Sequence, residues 1–345
     1  MSEFYNEVLT QPQELRQMVQ MHREDGFAAI RKGQTMLRQA KRIVFSGMGT
    51  SHYAPSLVQD SLAARGPILI EAGELYEYNM ELLTAPDTLL ILISQSGESI
   101  EVCRILEELP KSCQVLAITN DPSSTLGRGG ACVLQLYATS EMTITNRTYT
   151  NTLGVLQLLC ASPEGLEDCA ESILAAAQAM ETLLKTPQFH SQIDTAAHIL
   201  GAAPAIHFIG RGGPGLVSAR QASLVFSEGA KCCGIGCSTG TFHHGPMETC
   251  GAGHYGVVFQ QQDAYSEKTA ALYQKMASLG SQVVLIGQCG QSLPNVTVIT
   301  MPELPPAQFA FVAAVTFELL LVGTAAQKGR VAGLFTTATK ITRED

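Results

Sequence analysis

The stretch LLILISQSGES, residues 89–99, is the part of the sequence that best indicates the fold class. Its five consecutive apolar residues are typical of a strand buried on both faces, as the strands of parallel sheets are. A stretch with helical spacing of apolar residues, 98–109, follows directly after the polar turn. A buried strand that runs into a helix predicts an α/β fold with a parallel sheet covered by helices.

The same order of apolar run and helix recurs along the chain. Further strand candidates, which close on glycine or polar residues, lie at 41–47, 114–120, 205–212, 255–260 and 283–288. Gly210 follows Gly47 by 163 residues. Gly287 follows Thr119 at a similar distance, 168 residues. A repeat at a nearly constant offset predicts two copies of one α/β unit, each a parallel sheet flanked by helices in flavodoxin-like layers.

Five segments follow from this repeat. Residues 1–34 are predicted to form a helical segment, because apolar residues recur there at three- and four-residue steps. The first α/β domain is expected at 35–165, a helical linker at 166–195 and the second domain at 196–330. Residues 331–345 are expected to form a C-terminal tail.

The composition is that of a folded, acidic protein. The chain has 345 residues, of which 46% are apolar and 15% are charged, and its net charge is −9. This apolar content is enough for the cores of two domains. The sequence has no basic run, which argues against nucleic acid as a main partner. We therefore expect an anionic ligand to be held mostly by backbone N–H groups and hydroxyls.

Ten cysteines and a polar start without a secretory signal predict a reduced, cytoplasmic setting. The cysteines and histidines between 232 and 250 lack the paired spacing of a zinc site, so no metal is expected. The apolar stretch 309–326 contains Glu318 and is at the lower limit of membrane-spanning length. We interpret it as a helix buried in a protein core, and we expect no membrane partner.

Hydroxyl side chains follow two of the predicted strands. Ser94, Ser96 and Ser99 lie between a strand and a helix, and Thr50 and Ser51 follow the first strand. In open α/β sheets, ligands bind beyond the carboxyl ends of the strands, where helix N–H groups and the helix dipole favour phosphate. The residues alone leave a second interpretation open, which is an ordinary helix start with serine as its N-cap.

A glycine-rich turn in the second half, GRGGPG at 210–215, has the form of a dinucleotide-binding motif. Glu228 lies 18 residues after Gly210, near the place of a ribose-binding acid. However, the intervening residues have a helical pattern, whereas such an acid follows a second strand. We therefore expect neither a nicotinamide cofactor nor any other cofactor.

Several segments, taken in order, resemble one enzyme family. They are GMGTS at 47–51, EAGELYEYN at 71–79, SQSGES at 94–99, TNRTYTNTL at 145–153, FIGRG at 208–212, SEGAK at 227–231 and HHGP at 243–246. Together they are similar to the isomerase half of glutamine–fructose-6-phosphate aminotransferases, and to related stand-alone deglycases and deaminases built from SIS (sugar isomerase) domains. The resemblance covers nearly the whole chain. It implies two tandem SIS domains without the glutaminase half.

The resemblance also assigns roles to individual residues. The family's phosphate-binding group falls on Thr50, Ser51, Ser94, Gln95, Ser96 and Ser99. The acid that moves a proton between sugar carbons 1 and 2 falls on Glu228, and a carboxylate can take and return that proton. The ring-opening histidine falls on His244, a residue type that titrates near neutrality. The lysine that forms an imine with a keto sugar falls on Lys340. The resemblance therefore implies that the tail 331–345 contributes to the active site.

Without the resemblance, each of these three residues has an ordinary interpretation. Glu228 would be an exposed helix residue, and His244 would be a structural residue of a Gly-Pro turn. Lys340 would be a solvated charge near the C-terminus.

The chain departs from the family at several pocket positions. Val225 replaces a lysine, and Gln221 and Thr241 replace acids. Arg147 replaces the lysine of a serine/threonine-lysine segment. The sugar pocket is therefore expected to differ from one that aminates fructose 6-phosphate, and it suits an amine-bearing or larger substrate. The further pocket candidates are Gly49, Arg147, Gln221 and His243.

We expect an enzyme that couples isomerisation to cleavage or transfer of a carbon–nitrogen bond on a sugar 6-phosphate. The substrate would be a fructosamine 6-phosphate or an amino-sugar 6-phosphate. A simple aldose–ketose isomerase is the alternative among enzymes, and a non-catalytic sugar-phosphate sensor is the alternative outside them. The resemblance also implies a homodimer with shared active sites, in which the histidine of HGP reaches the neighbouring subunit's site.

Overall fold

The computed structural model describes residues 2–337. Within them the strands are β1 (Arg42–Gly47), β2 (Ile68–Glu71), β3 (Thr88–Ile93), β4 (Gln114–Thr119), β5 (Cys132–Gln135), β6 (Ala205–Gly210), β7 (Cys233–Ser238), β8 (Tyr255–Phe259), β9 (Gln282–Gly287) and β10 (Val296–Thr300). The helices are α1 (Glu3–Glu24), α2 (Ala28–Gln39), α3 (Thr50–Tyr53), α4 (Ala72–Tyr78), α5 (Ile100–Glu107), α6 (Thr125–Gly129), α7 (Arg147–Cys160), α8 (Leu166–Leu184), α9 (Pro187–Gly201), α10 (Gly212–Gly229), α11 (Thr239–His243), α12 (Ser266–Ser278) and α13 (Pro306–Gln327).

Two compact units are present. The first unit contains residues 13–140 and 147–174, and the second contains 2–12, 141–146 and 175–336. Each unit has one five-stranded parallel sheet, ordered β2-β1-β3-β4-β5 in the first and β10-β9-β8-β6-β7 in the second. These are the same order, read from opposite edges. The predicted α/β class with parallel sheets is thus confirmed.

The first sheet is covered on both faces. On one face Val44, Leu90 and Leu92 pack with Leu75 of α4 and Val102 of α5. Strand residues alternate between faces, so their neighbours point towards the opposite side. On that side α2 packs closely against the sheet at Gly33. A Cβ atom built on this glycine would lie only 3.0 Å from the side chain of Leu116 and 3.1 Å from that of Leu159 of α7. Full burial of one such aliphatic side chain stabilises the fold by about 1.5–3 kcal/mol.

The second sheet is covered in the same way. Ile209, Val258 and Leu285 pack with Leu272 of α12 on one face. Aromatic contacts occupy the other face, including Phe208 with Phe226 of α10 at 4.8 Å between ring centroids. Phe259 contacts Phe317 of α13 at 6.1 Å.

The six strands predicted from apolar runs are confirmed as β1, β3, β4, β6, β8 and β9. The predicted N-terminal helical stretch is two helices, because the chain turns at Gly26 and Phe27, which both have a positive φ. The structure adds four strands that the sequence did not suggest, namely β2, β5, β7 and β10. They are the edge strands of the two sheets, which lack the continuous apolar runs of the central strands.

Helix α13 has the length and apolar composition of a membrane span. In the second unit, however, its residues from Phe309 to Leu321 are buried by protein, as expected for a core helix. Glu318 is fully buried in the middle of this helix and accepts a hydrogen bond from the side-chain amide of Gln11. Burial raises the pKa of Glu318 well above its usual range, and the nearby carboxyl groups of Glu141 and Glu7 raise it further.

We expect Glu318→Gln to stabilise the protein at neutral and alkaline pH and to change little near pH 4. Glutamate titrates near pH 4.3 in an unfolded chain, whereas folded Glu318 keeps its proton to a higher pH. Between those two pKa values the folded state binds more protons, so wild-type stability falls by about 1.4 kcal/mol for each pH unit gained. Thermal unfolding from pH 4 to pH 9 tests this, with Glu303→Gln at an exposed position as control. A difference between Glu318→Gln and wild type that is the same at every pH would contradict the prediction.

Candidate active site

The SQSGES loop lies at the carboxyl end of β3, beside the end of β1 where the strand order reverses. Ligands of open α/β sheets bind at such a position. The Ser94 hydroxyl accepts a hydrogen bond from the Gly97 N–H at 3.1 Å and lies 3.2 Å from the Ser99 hydroxyl. The Ser96 hydroxyl accepts from the Glu98 N–H at 3.2 Å. A hydroxyl that accepts a hydrogen bond still has its own hydrogen to donate.

Contacts with the next strand-to-helix connection hold this loop in place. Both oxygens of the Glu98 carboxyl group accept hydrogen bonds from Thr125, one from its N–H at 2.6 Å and one from its hydroxyl at 3.0 Å. The main-chain oxygen of Gln95 accepts from the Asn120 N–H at 3.1 Å. Ser99 stands at the N-cap position of α5, but its side chain caps no N–H of that helix. Its hydroxyl is therefore not used as a helix cap.

Thr50 and Ser51 begin the short helix α3, directly beyond the end of β1. Gly47 is paired with Ile93, the last residue of β3. A Cβ added to Gly47 would lie 2.7 Å from the Ile93 carbonyl oxygen and 2.7 Å from the Ser51 Cβ. This close approach places Ser51 next to the start of the SQSGES loop. The first unit therefore brings together the hydroxyl groups that the sequence singled out on two separate segments.

Arg147 is the first residue of α7 in the same unit. It donates hydrogen bonds to the Thr139 hydroxyl and, at 3.3 Å, to the Ser140 main-chain oxygen. Thr139 is itself held by the Glu14 carboxyl group, which accepts from its N–H at 2.9 Å and its hydroxyl at 2.6 Å. Arg147 is thus fixed to the segment after β5.

Gly49, a further pocket candidate, immediately precedes α3 as its N-cap residue.

Glu228 lies in the last turn of α10 and is half-buried. The helix packs closely there, because a Cβ added to Gly229 would lie 2.9 Å from Leu321 of α13 and 3.0 Å from Ile144. Gln221, two turns earlier, is fully buried, and its side-chain amide has no hydrogen-bond partner within the described residues. Residues seven apart share one face of a helix, so Gln221 and Glu228 point in a similar direction.

His243 and His244 are exposed and lie at the end of α11. Helix α10 runs from the carboxyl end of β6 back to the amino end of β7, which places Glu228 near the start of β7. His244 lies beyond the other end of that six-residue strand, which corresponds to a separation of about 20 Å. The second unit therefore does not bring Glu228 and His244 together. The predicted imine-forming residue, Lys340, lies outside the described residues.

Sequence reasoning missed a buried histidine pair on the second sheet. Nδ1 of His207 lies 3.0 Å from Nε2 of His254, and Nδ1 of His254 lies 3.0 Å from the Ser281 hydroxyl. Burial, with a smaller effect of His207, lowers the pKa of His254 to about 4. The ring of His207 also packs against Phe242, at 5.3 Å between centroids. This uncharged pair therefore supports the short helix that carries His243.

A second set of residues that the sequence did not suggest holds the segment 141–146. The carboxyl group of Glu7 is buried and accepts hydrogen bonds from the Met142 N–H and the Asn146 side chain, both at 2.8 Å. Glu7 also accepts from the Thr143 hydroxyl. In residues 2–337 there is no group of three or more histidine, cysteine or acidic side chains placed to hold a metal ion. Of the cysteines between 232 and 250, Cys232 and Cys237 are buried, Cys250 is half-buried and Cys233 is exposed.

Comparison with known sequences identifies relatives of the chain. Residues 36–161, which contain the whole first sheet, match the SIS domain family. Over 344 aligned residues the chain is 26% identical to the isomerizing glutamine–fructose-6-phosphate aminotransferase of Zymomonas mobilis. That alignment covers 94% of this chain and 56% of the relative, so the chain spans about half the length of the curated relatives it matches.

Solved structures share the fold over nearly the whole chain. The C-terminal domain of a glucosamine-fructose-6-phosphate aminotransferase from Francisella tularensis has a TM-score of 0.83 at 18% identity, with 96% of this chain and 98% of that chain covered. A glucosamine-6-phosphate deaminase from Thermotoga maritima has a TM-score of 0.72 at 18% identity, with 99% of both chains covered. The chain therefore contains an SIS domain at residues 36–161, and it is related over nearly its whole length to the isomerase half of glutamine–fructose-6-phosphate aminotransferases.

Proposed function

We propose that this protein is a phosphosugar enzyme that isomerises a sugar 6-phosphate and cleaves or transfers a carbon–nitrogen bond at its carbon 1 or 2. The observation that carries the proposal is the hydroxyl-lined SQSGES loop at the reversal point of the first sheet, next to Ser51. The repeated strand order makes the second sheet a second SIS domain in this proposal. The relatives, which include an isomerizing aminotransferase and a deaminase by name, support the same class of reaction.

Phosphate binding at this loop needs no lysine or arginine. The side chains offered are Ser94, Ser96 and Ser99, with Gln95 beside them, and Thr50 and Ser51 follow the neighbouring strand. The N–H groups at the start of α5 and the positive end of its dipole add to the attraction for an anion. The net charge of −9 makes such a local site necessary, because the protein as a whole repels phosphates.

The chemistry of a fructosamine 6-phosphate substrate would follow from three side chains. Glu228 takes the proton from carbon 1 and returns it to carbon 2, which converts the amino ketone into an imine at carbon 1. The amine of Lys340 adds to that carbon, and the substrate's amine leaves with a proton. Water then hydrolyses the lysine imine, which releases an aldose 6-phosphate and regenerates Lys340. His244 would open the sugar ring beforehand.

One feature favours an amine-bearing substrate. Val225, Gln221 and Thr241 are uncharged, whereas the resemblance gives a lysine and two acids at the matching positions.

The separation of Glu228 from His244 along β7 supports a shared active site in a homodimer. A hexose phosphate is much shorter than the roughly 20 Å that a six-residue strand spans. His244 would therefore act on a sugar bound to the partner copy. Its exposed position at the end of α11 is suited to that role.

We expect Ser96→Ala combined with Ser99→Ala to fold normally and to lose affinity for sugar 6-phosphates. Each lost hydrogen bond to a charged group costs roughly 1.5–3 kcal/mol, so the pair should weaken binding by at least about a hundredfold. Calorimetry with a sugar 6-phosphate measures this, and Ser112→Ala at an exposed position is the matched control. If the double variant binds the phosphosugar as tightly as wild type, the phosphate assignment is wrong.

The proposed reaction is tested by incubating the protein with fructosamine 6-phosphates and amino-sugar 6-phosphates. Release of free amine together with a hexose phosphate supports it. Interconversion of aldose and ketose phosphates without amine release would make the protein a simple isomerase. Tight binding without turnover of any of these compounds would make it a sugar-phosphate sensor.

A further inference from the structure

Glu98 is the acidic residue of the SQSGES loop, and its half-buried side chain is bonded to the start of α6. One carboxyl oxygen accepts a hydrogen bond from the Thr125 N–H at 2.6 Å, and the other accepts from the Thr125 hydroxyl at 3.0 Å. Thr125 is the first residue of α6. The first N–H groups of a helix have no partner within the helix, so Glu98 supplies an acceptor that α6 itself lacks. These bonds join residues 27 positions apart.

The main chain of the loop docks on the same helix start. The Gly97 oxygen accepts a hydrogen bond from the Leu126 N–H at 3.1 Å, so the first two N–H groups of α6 are both bonded to the loop. Gly97 has a φ of 66°, in the left-handed region that glycine adopts freely. A Cβ added to Gly97 would lie only 2.6 Å from the Ser124 Cβ. The loop therefore follows one defined path, pressed closely against α6.

The hydroxyl groups proposed to bind phosphate are tied to this docked part of the loop. The Ser94 hydroxyl accepts a hydrogen bond from the Gly97 N–H at 3.1 Å, and the Ser96 hydroxyl accepts from the Glu98 N–H at 3.2 Å. The positions of both hydroxyls thus depend on where the backbone of Gly97 and Glu98 lies. A loop released from α6 would lose this arrangement of its hydroxyls.

The chemistry of Glu98 argues against direct contact with a bound phosphate. A carboxylate only accepts hydrogen bonds, and an ionised phosphate group presents mostly acceptor oxygens. The negative charge of the carboxylate also opposes a phosphate held nearby. Glu98 can therefore help a phosphate site only through the loop that it holds in place.

We infer that Glu98 is a positioning residue that locks the SQSGES loop against α6 in the conformation that binds phosphate. The inference rests on the proposed function, in which this loop binds the 6-phosphate of the sugar. An unlocked loop would adopt the binding conformation only part of the time, and the apparent affinity would fall by that fraction. Glu98 and Thr125 act as a pair, so changing either partner should have the same effect.

Variants of both partners separate this role from a simple change of charge. Glu98→Gln keeps the size of the side chain but removes the charge and one of the two acceptor oxygens. Thr125→Val removes the hydroxyl and keeps the shape, whereas Thr125→Ser keeps the hydroxyl. The matched control is Glu107→Gln, which removes the same charge at an exposed position of α5.

Two measurements on the full-length protein test the inference. Amide hydrogen exchange of the peptide containing 94–99, without ligand, reports whether the loop stays docked. Exchange of the buried strand β4 in the same unit serves as the reference for general stability. Calorimetry with glucosamine 6-phosphate and with fructose 6-phosphate measures the affinity for sugar phosphates.

We expect Glu98→Gln and Thr125→Val each to speed exchange of 94–99 and to weaken sugar-phosphate binding by about tenfold, as the loss of a hydrogen bond to a charged group does. Strand β4 should stay protected, and saturating sugar phosphate should restore slow exchange of 94–99. The double variant should bind no more weakly than the weaker of the two single variants, because both changes break one interaction. Thr125→Ser and Glu107→Gln should behave as wild type.

Binding by Glu98→Gln at the wild-type affinity or tighter would overturn the inference, and tighter binding would mean that the carboxylate acts on the phosphate by repulsion alone. Losses of affinity that add fully in the double variant would overturn the pairing with Thr125. If wild type binds neither sugar phosphate, the phosphate assignment of the proposed function is wrong and the effect on affinity falls with it. Exchange of 94–99 in Glu98→Gln then still decides whether Glu98 holds the loop.

Discussion

Lys340→Arg is expected to abolish cleavage of the carbon–nitrogen bond of a fructosamine 6-phosphate while the substrate still binds. Arginine keeps the positive charge but forms no imine, so the covalent route through carbon 1 is lost. Losing a residue that attacks the substrate lowers kcat by on the order of 10³-fold or more in enzymes that depend on it. Single-turnover release of the free amine measures the loss, and calorimetry measures binding.

Borohydride added with the substrate should trap a covalent adduct on Lys340 in wild type and none in Lys340→Arg. Lys328→Arg is a suitable control, because Lys328 lies in the same part of the sequence and its ammonium group is bonded to the main-chain oxygen of Ala203. Near wild-type amine release by Lys340→Arg would refute the imine. Enediol isomerisation driven by Glu228, followed by direct attack of water on the imine, would then be the better mechanism.

Mixing Glu228→Gln with His244→Asn is expected to restore activity that neither variant has alone. Loss of the acid–base carboxylate should lower the reaction rate by about 10²–10⁴-fold. Loss of the ring-opening histidine should also lower the reaction rate. In a homodimer with shared sites, a mixed dimer has one site with both residues intact. Random exchange of subunits should therefore recover about a quarter of wild-type activity.

The recovered activity should grow with incubation time as subunits exchange. Mixing Glu228→Gln with Lys340→Arg serves as the comparison. No recovery of activity is expected if one subunit supplies both residues to a site, whereas recovery would mean that different subunits supply them. A protein that is monomeric by light scattering at assay concentration, or that shows no recovery after complete exchange, would falsify the shared site. The separation of Glu228 and His244 along β7 would then need a different explanation.

Much of the fold could be predicted because its signals are local. Central strands such as β3 are continuous apolar runs, since both of their faces are buried, and each is followed by a helix. Strand β7 lacks such a signal. Its sequence CGIGCS contains two glycines, which are unfavourable in strands. A Cβ on Gly234 would lie 2.3 Å from the Ser223 main-chain oxygen, so the close passage of α10 requires glycine at this position.

The sequence by itself determined the α/β class, the repeat of two parallel sheets and the hydroxyl loop after β3, because strand, turn and helix follow one another within about a dozen residues there. Only the tertiary structure decided that Ser51 approaches that loop and that Glu228 and His244 lie at opposite ends of β7. It also decided that Glu318 and Gln11 meet inside the second unit. These placements relate residues that are far apart in the sequence, up to 307 positions for Gln11 and Glu318. They depend on how whole elements pack, which no local pattern of residues encodes.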